Sequence, residues 1–227
     1  MTEGALKGFP YLDIPVQTNY EEAYRSAREA LNARHPEAVA GHSGAELIEE
    51  AGDRLYKLPY FDDPLLVPVL DGTMRYADGR ELSLWEQIVV LHYLGSNGTV
   101  HKTDRLIAFR EIPDGRFYDA AFLRRSKAPL VAAFGDKPDV LPAAAALLGG
   151  VRTDGADLAV SIPAFPNVPV SVTFWLGDDE FPPDANLLFR ADIGAFLPVE
   201  DVAVLGGLVV GKLKAAAKRI DTQGGPR

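Results

Sequence analysis

From Val168 to Trp175 the side chains alternate. Val168, Val170, Val172 and Phe174 fall on one side, and Pro169, Ser171, Thr173 and Trp175 on the other. Successive strand residues point to opposite faces, so this period of two predicts a half-buried strand. Pro169 lacks an N–H and marks a strand start or an edge. A return strand is predicted over residues 185–190, with Leu187 and Phe189 on one face and Leu188 and Arg190 on the other. The two strands frame an acidic crown, Gly177-Asp178-Asp179-Glu180-Phe181-Pro182-Pro183-Asp184, longer than a tight two-residue turn and stiffened by two prolines.

Helical spacing dominates elsewhere. A helix is predicted over residues 20–33, capped by Asn19, with Ala23, Ala27, Ala30 and Leu31 as its apolar stripe. Ser43 and Glu46 have the spacing of a capping box, which predicts a second helix ending before Gly52. Ser83 and Glu86 repeat that spacing ahead of a third, apolar around most of its surface and stopped by Gly95. Residues 116–134 read as one or two helices broken near Pro129, and residues 140–148 as another. The last helix starts near Pro198, carries acids early and Lys212, Lys214, Lys218 and Arg219 late, and places Gly207 and Gly211 one turn apart. Strands are predicted over residues 54–58, 106–112 and 158–162. A hairpin of residues 65–70 and 73–76 turns at Asp71-Gly72, and a second turn follows at Asp78-Gly79.

These elements make one α+β domain, a mostly antiparallel sheet packed with several helices, over residues 19–220. Residues 1–18 read as an extended arm whose Phe9, Tyr11, Leu12, Ile14 and Val16 suit docking on the body or on a second copy. Residues 221–227 read as a disordered tail.

Composition narrows the function. The net charge of −9 argues against nucleic acid as a partner. The absence of cysteine excludes thiol catalysis, disulfides and thiolate metal sites within this chain. The N-terminus has no basic start followed by a long apolar run, and no apolar run reaches the length of a membrane span. The expectation is a soluble, cytoplasmic protein.

The candidate chemistry is dispersed. Gly41-His42-Ser43-Gly44-Ala45 approaches a nucleophile elbow, but Ala45 stands where the elbow needs glycine and no strand precedes it. Trp85, His92, Tyr93, Arg110, Arg124, Arg125 and Trp175 combine aromatic faces with cations, the groups that would hold a small anionic ligand. Asp178, Asp179, Glu180 and Asp184 are candidates for a cation site, although they match no metal-loop spacing. The cationic cluster of Arg116, Arg124, Arg125 and Lys127 could equally pair with the crown at Asp178, Asp179 and Glu180. An enzyme would draw its acid and base from His92, His101, Glu111 and Asp179. A homodimer would use the glycine-bearing last helix or exchange the arm.

The segments Leu-His-Tyr-Leu at residues 91–94, Phe-Arg-Glu-Ile-Pro-Asp-Gly at 109–115, Phe-Pro-Asn-Val-Pro-Val at 165–170 and Trp-Leu-Gly-Asp-Asp-Glu-Phe-Pro-Pro at 175–183 carry a resemblance. In that order the chain resembles the domain-of-unknown-function family 3786 over most of residues 45–215. The resemblance implies an uncharacterised accessory or binding protein of anaerobic prokaryotes, with a redox or corrinoid protein as the partner class. Some relatives look fused to a cysteine-rich iron–sulfur module, and without cysteine this chain cannot hold that cluster. The resemblance brings no catalytic residues and no assigned cofactor.

Overall fold

The computed structural model describes residues 18–98 and 102–223. The predicted arm up to residue 17, His101 and the last four residues of the predicted tail lie outside the described residues. The chain opens with helix α1 (Thr18–Asn32), followed by α2 (Pro36–Ser43). A four-stranded antiparallel meander comes next: β1 (Glu46–Glu50), β2 (Asp53–Leu58), β3 (Leu65–Pro68) and β4 (Arg75–Tyr76). Helix α3 (Leu84–Gly95) leads to β5 (Leu106–Ala108), a 3-10 turn at Phe109–Glu111, and helices α4 (Gly115–Arg125), α5 (Lys127–Phe134) and α6 (Val140–Ala146). The chain then forms β6 (Val151–Arg152), β7 (Leu158–Phe165), β8 (Val168–Trp175) and β9 (Asp184–Arg190), and ends in α7 (Val199–Gln223). The second sheet has the order β5-β9-β8-β7-β6 and is antiparallel throughout. The architecture is α+β, as the alternation and helical spacing predict.

The hairpin β8–β9 follows the predicted faces. Val168, Val170, Val172, Phe174, Leu187 and Phe189 are all buried; on the opposite face Ser171 and Thr173 are buried as well, so β8 is covered on both sides rather than half-buried, and only its last residue, Trp175, is exposed, at 41%. Pro169 stands second in β8 opposite Pro163, and pairing with β9 begins only at Val170, so its missing N–H costs no bond to that neighbour.

The predicted second helix is corrected. Residues 46–58 form the hairpin β1–β2, with Leu47 facing Tyr56 across the ladder. Ala51 and Gly52 take φ of 55° and 90°, the left-handed pair that a tight hairpin turn requires. Ser43 ends α2 instead of starting a helix, and Gly44 closes that helix at φ 75°. A Cβ at Gly44 would lie 2.8 Å from Pro166. Helix α2 starts at Pro36, a residue suited to the first helical position. The local capping pattern lost to cross-strand pairing, which buries Leu55, Tyr56 and Leu58.

Three smaller corrections follow. The predicted strand 106–112 keeps only three strand residues before it tightens into the 3-10 turn. The break between α4 and α5 falls at Ser126, while Pro129 sits in the first turn of α5, where no N–H is needed. Helix α7 continues through Asp221 and Thr222 to Gln223, beyond the expected start of the tail.

Helix α7 is the axis of the molecule and packs against α3, α4, α5 and α6. Its close-approach glycine is Gly206, not Gly207 or Gly211: a Cβ there would meet the Phe122 ring at 2.5 Å. Phe122 stacks on Phe109 at 4.1 Å between centroids and meets Phe189 edge-on at 6.0 Å, which joins α4 and the 3-10 turn to the second sheet. Tyr93 stacks on Phe165 at 4.3 Å, and Tyr60 lies 5.1 Å from Phe165, which joins the first sheet and α3 to the second. No helix among the described residues is long and apolar enough to cross a membrane.

Candidate functional site

A cleft of about 280 Å³ opens where β5 ends. Its first wall is the turn after β5. The Glu111 carboxylate accepts the Ala108 N–H at 2.7 Å and winds the chain into the 3-10 turn that carries Arg110. Asp114 follows at φ 63°, and Gly115 starts α4 so close to the turn that a Cβ would lie 2.2 Å from the Phe109 carbonyl oxygen. Only glycine fits there. The second wall is the end of the β8–β9 hairpin, with Trp175, Asp184, Ala185 and Asn186. The third is α4 and the start of α5, through Asp119, Phe122, Leu123 and Lys127. Asp119 and Leu123 lie one turn apart on the same face of α4, and Lys127 follows at the start of α5.

Two predicted ligand-binding residues thus meet. Arg110 and Trp175 line this cleft together with Asp184 of the crown. Asp184 is held by Lys127 at 2.8 Å. Arg110 is exposed and has no carboxylate partner among the described residues. The crown folds on itself. Asp178 accepts the N–H groups of Glu180 at 2.9 Å and Phe181 at 2.7 Å, and these backbone bonds hold its carboxyl below the usual range. Gly177 admits Pro183 so closely that a Cβ would lie 2.7 Å from its ring. Asp179 and Glu180 are exposed, and no group of three metal-ligating side chains forms among the described residues.

The other candidates separate. Trp85 packs edge-on against Tyr20 of α1, 3.7 Å between centroids. Arg125 lies near that pair, its charge lowering the Tyr20 phenol against the stronger upward push of burial, and its Nε is buried without a hydrogen-bond partner among the described residues. Arg124 is exposed on α4, and helical spacing turns it away from the cleft stripe. Tyr93 is buried and donates to the Ser43 carbonyl at 2.7 Å, while Asn167 donates to Tyr93 Oη and to the His42 carbonyl. Burial pushes the Tyr93 phenol up to about 12. His42 Nε2 meets the Leu94 carbonyl at 3.1 Å. This knot ties α2, α3 and the β7–β8 turn together.

His92, one residue before Tyr93, points elsewhere. Its Nδ1 donates to Asp201 Oδ2 at 2.5 Å, across the end of α3 and the first turn of α7. Asp201 is buried, while the imidazole remains 33% exposed. The Asp201 hydrogen bond raises the His92 pKa above 6.5, against burial, and the Asp201 and Glu200 charges add to the rise. Asp201 was not among the predicted residues. As an acid in the first turn of a helix it carries an ordinary capping signal, and nothing in the sequence pairs it with a histidine 109 positions away.

A further polar cluster also escaped the sequence. Glu86 Oε1 accepts from Tyr76 Oη at 2.8 Å and Tyr60 Oη at 3.3 Å, and Lys212 Nζ stands 3.5 Å away. Glu86 Oε2 accepts from the Ser83 N–H and hydroxyl. Lys212 donates to Tyr76 Oη at 2.8 Å and lies 4.7 Å above the centre of the Tyr60 ring. Burial pushes the lysine pKa down and both tyrosine pKa values up. The expected capping box of α3 is present, but the same glutamate also anchors α7 to the first sheet.

Two of the segments that carry the family resemblance reach the cleft, residues 109–115 through Phe109 and Arg110 and residues 175–183 through Trp175. No curated protein and no solved structure matches the chain. A family model described as domain of unknown function (DUF3786) matches residues 35–212, leaving α1 outside the match. The chain belongs to this family of uncharacterised domains.

Proposed function

We propose that the protein is a binding domain whose cleft takes a ligand with an anionic group, the anion on Arg110 and an apolar part against Trp175. The observation that supports this is the meeting of Arg110 and Trp175, 65 positions apart, in one cleft, with the guanidinium unpaired by any described carboxylate. A guanidinium forms paired hydrogen bonds with carboxylate or phosphate, and an indole face holds the attached apolar portion. Trp175 reports on binding by fluorescence in a Trp85→Phe background. Titration with inorganic phosphate, succinate and adenosine monophosphate is expected to give a saturable change with at least one of them. That change should vanish in Arg110→Ala. No saturable change with any anion would retire this reading.

The His92–Asp201 pair favours a second reading, an acid–base enzyme. A buried carboxylate that fixes Nδ1–H leaves Nε2 to exchange a proton with a substrate. Hydrolysis of p-nitrophenyl acetate above the buffer rate, lost in His92→Gln, is the expected sign. A rate unchanged by that substitution would dismiss it.

A further inference from the structure

The acidic crown and the cationic cluster of α4 barely pair within the chain. Lys127 meets Asp184 where the crown enters β9. Beyond that, no ion pair among the described residues joins Asp178, Asp179 or Glu180 to Arg116, Arg124 or Arg125.

Each half instead presents one sign of charge around an exposed phenylalanine. On α4, Arg116, Ala120 and Arg124 recur every four residues and share a face, with Phe117 at its side. All four are exposed, Phe117 at 84%. The acid within α4, Asp119, lines the cleft instead, and Asp114 precedes the helix. On the crown, residues 176–184 contain no lysine or arginine. Asp179, Glu180 and Phe181 are exposed there, Phe181 at 67%. The crown is held in shape. The Asp178 N–H donates to the Phe181 carbonyl at 2.9 Å, and its carboxylate accepts the N–H groups of Glu180 and Phe181. Pro183 lies against Gly177 and against Gly135 at the end of α5, where a Cβ would stand 2.7 and 3.2 Å from it. A turn already fixed loses little freedom on binding. The two patches flank one opening, since Trp175 and Asp184 at the ends of the crown line the same cleft as Asp119 and Leu123 of α4.

We propose that the protein forms a two-fold dimer in which the crown of each copy docks on the α4 face of the other. Asp179 and Glu180 meet Arg116 and Arg124, and Phe181 lies against Phe117. A second copy is the occupant because each patch has its complement on this chain: two carboxylates for two guanidinium groups, and one exposed phenylalanine for another. A two-fold axis makes the contact twice and leaves neither patch open. The charge pairs set the register, and the rings supply the apolar centre. Arg110 takes no part, so this dimer and anion binding in the cleft stand or fall separately.

Sedimentation equilibrium of the full chain tests the proposal. A dimer is expected at micromolar concentration, its dissociation constant raised about tenfold or more by high salt. Arg116→Glu with Arg124→Glu makes both patches acidic, and Asp179→Lys with Glu180→Lys makes both basic. Each variant alone is expected to be monomeric. An equimolar mixture should regain the dimer, because every contact then joins opposite charges. Phe181→Ser, which leaves the charges in place, should weaken the parent dimer. A parent that stays monomeric at hundred-micromolar concentration overturns the proposal, as does a dimer indifferent to salt and to Phe181→Ser. Charge variants that dimerise alone place the contact on another surface, and a mixture that stays monomeric denies the pairing of crown with α4.

Discussion

The Glu86–Lys212 cluster and the Arg110–Trp175 cleft use similar side chains to opposite ends. In the first, one carboxylate serves two tyrosines, a serine and a lysine, and all of them are largely shielded from water. In the second, an arginine stands exposed without a described carboxylate partner, beside an exposed tryptophan. A closed polar network costs desolvation, and its members become expensive to remove one at a time. An open one contributes little to stability and keeps its hydrogen-bonding capacity for something else. Shifted pKa values at the closed cluster therefore mark a bolt between α3, α7 and the first sheet, even though such shifts often mark active sites.

The largest effect should come from breaking the bolt. Glu86→Ala leaves Lys212 without its charge partner and both tyrosine hydroxyls without their acceptor, and should cost about 3–5 kcal/mol in a denaturant titration. A loss below about 1 kcal/mol would mean that water takes over the carboxylate's role. Next is the contact between α7 and α4. Gly206→Ala pushes a methyl into Phe122 and should cost about 1–3 kcal/mol. At Gly207 a Cβ meets nothing nearer than 4.0 Å, so Gly207→Ala should instead stabilise the helix by about 0.5–1 kcal/mol. Opposite signs at adjacent positions would confirm which glycine is there for packing.

The His92–Asp201 pair lies between these extremes, and its effect depends on pH. The folded pKa of His92 is raised above 6.5, so the folded state holds its proton more tightly than the unfolded chain. The stabilisation is fully present below pH 6.5 and is lost as pH rises through the folded value. Thermal melts from pH 5 to 9 should show this fall, and Asp201→Asn should flatten it. An unchanged profile in Asp201→Asn would assign the pH dependence to another group. The smallest effect on stability is expected at the cleft, where Arg110→Ala should stay within about 0.5 kcal/mol of the parent while abolishing anion binding. A large destabilisation there would move Arg110 to the structural side of the comparison.

The sequence showed the hairpin β8–β9 because one face is fully buried, and burial on one face enforces a strict period of two. It showed α3 because its capping box and apolar run agree. It failed at residues 43–52, where the capping pattern was equally clear but pairing with β2 outweighed it. It named Arg110 and Trp175 from side-chain chemistry, but it gave no reason to set them together or to separate them from Arg124, Arg125 and Trp85. Asp201, Lys212, Tyr60 and Tyr76 went unnoticed because each is unremarkable until folding supplies its partner.

The sequence by itself determined the α+β class, the faces of its main hairpin, and the exclusion of thiol chemistry. Those follow from local periodicity and composition, which neighbouring residues and simple counts carry. Tertiary structure alone decided where β5 parts from β9, which glycine of α7 meets Phe122, and which histidine finds a carboxylate. Each of those depends on residues far apart in the chain that come within a few ångströms only after the helices and both sheets have packed together.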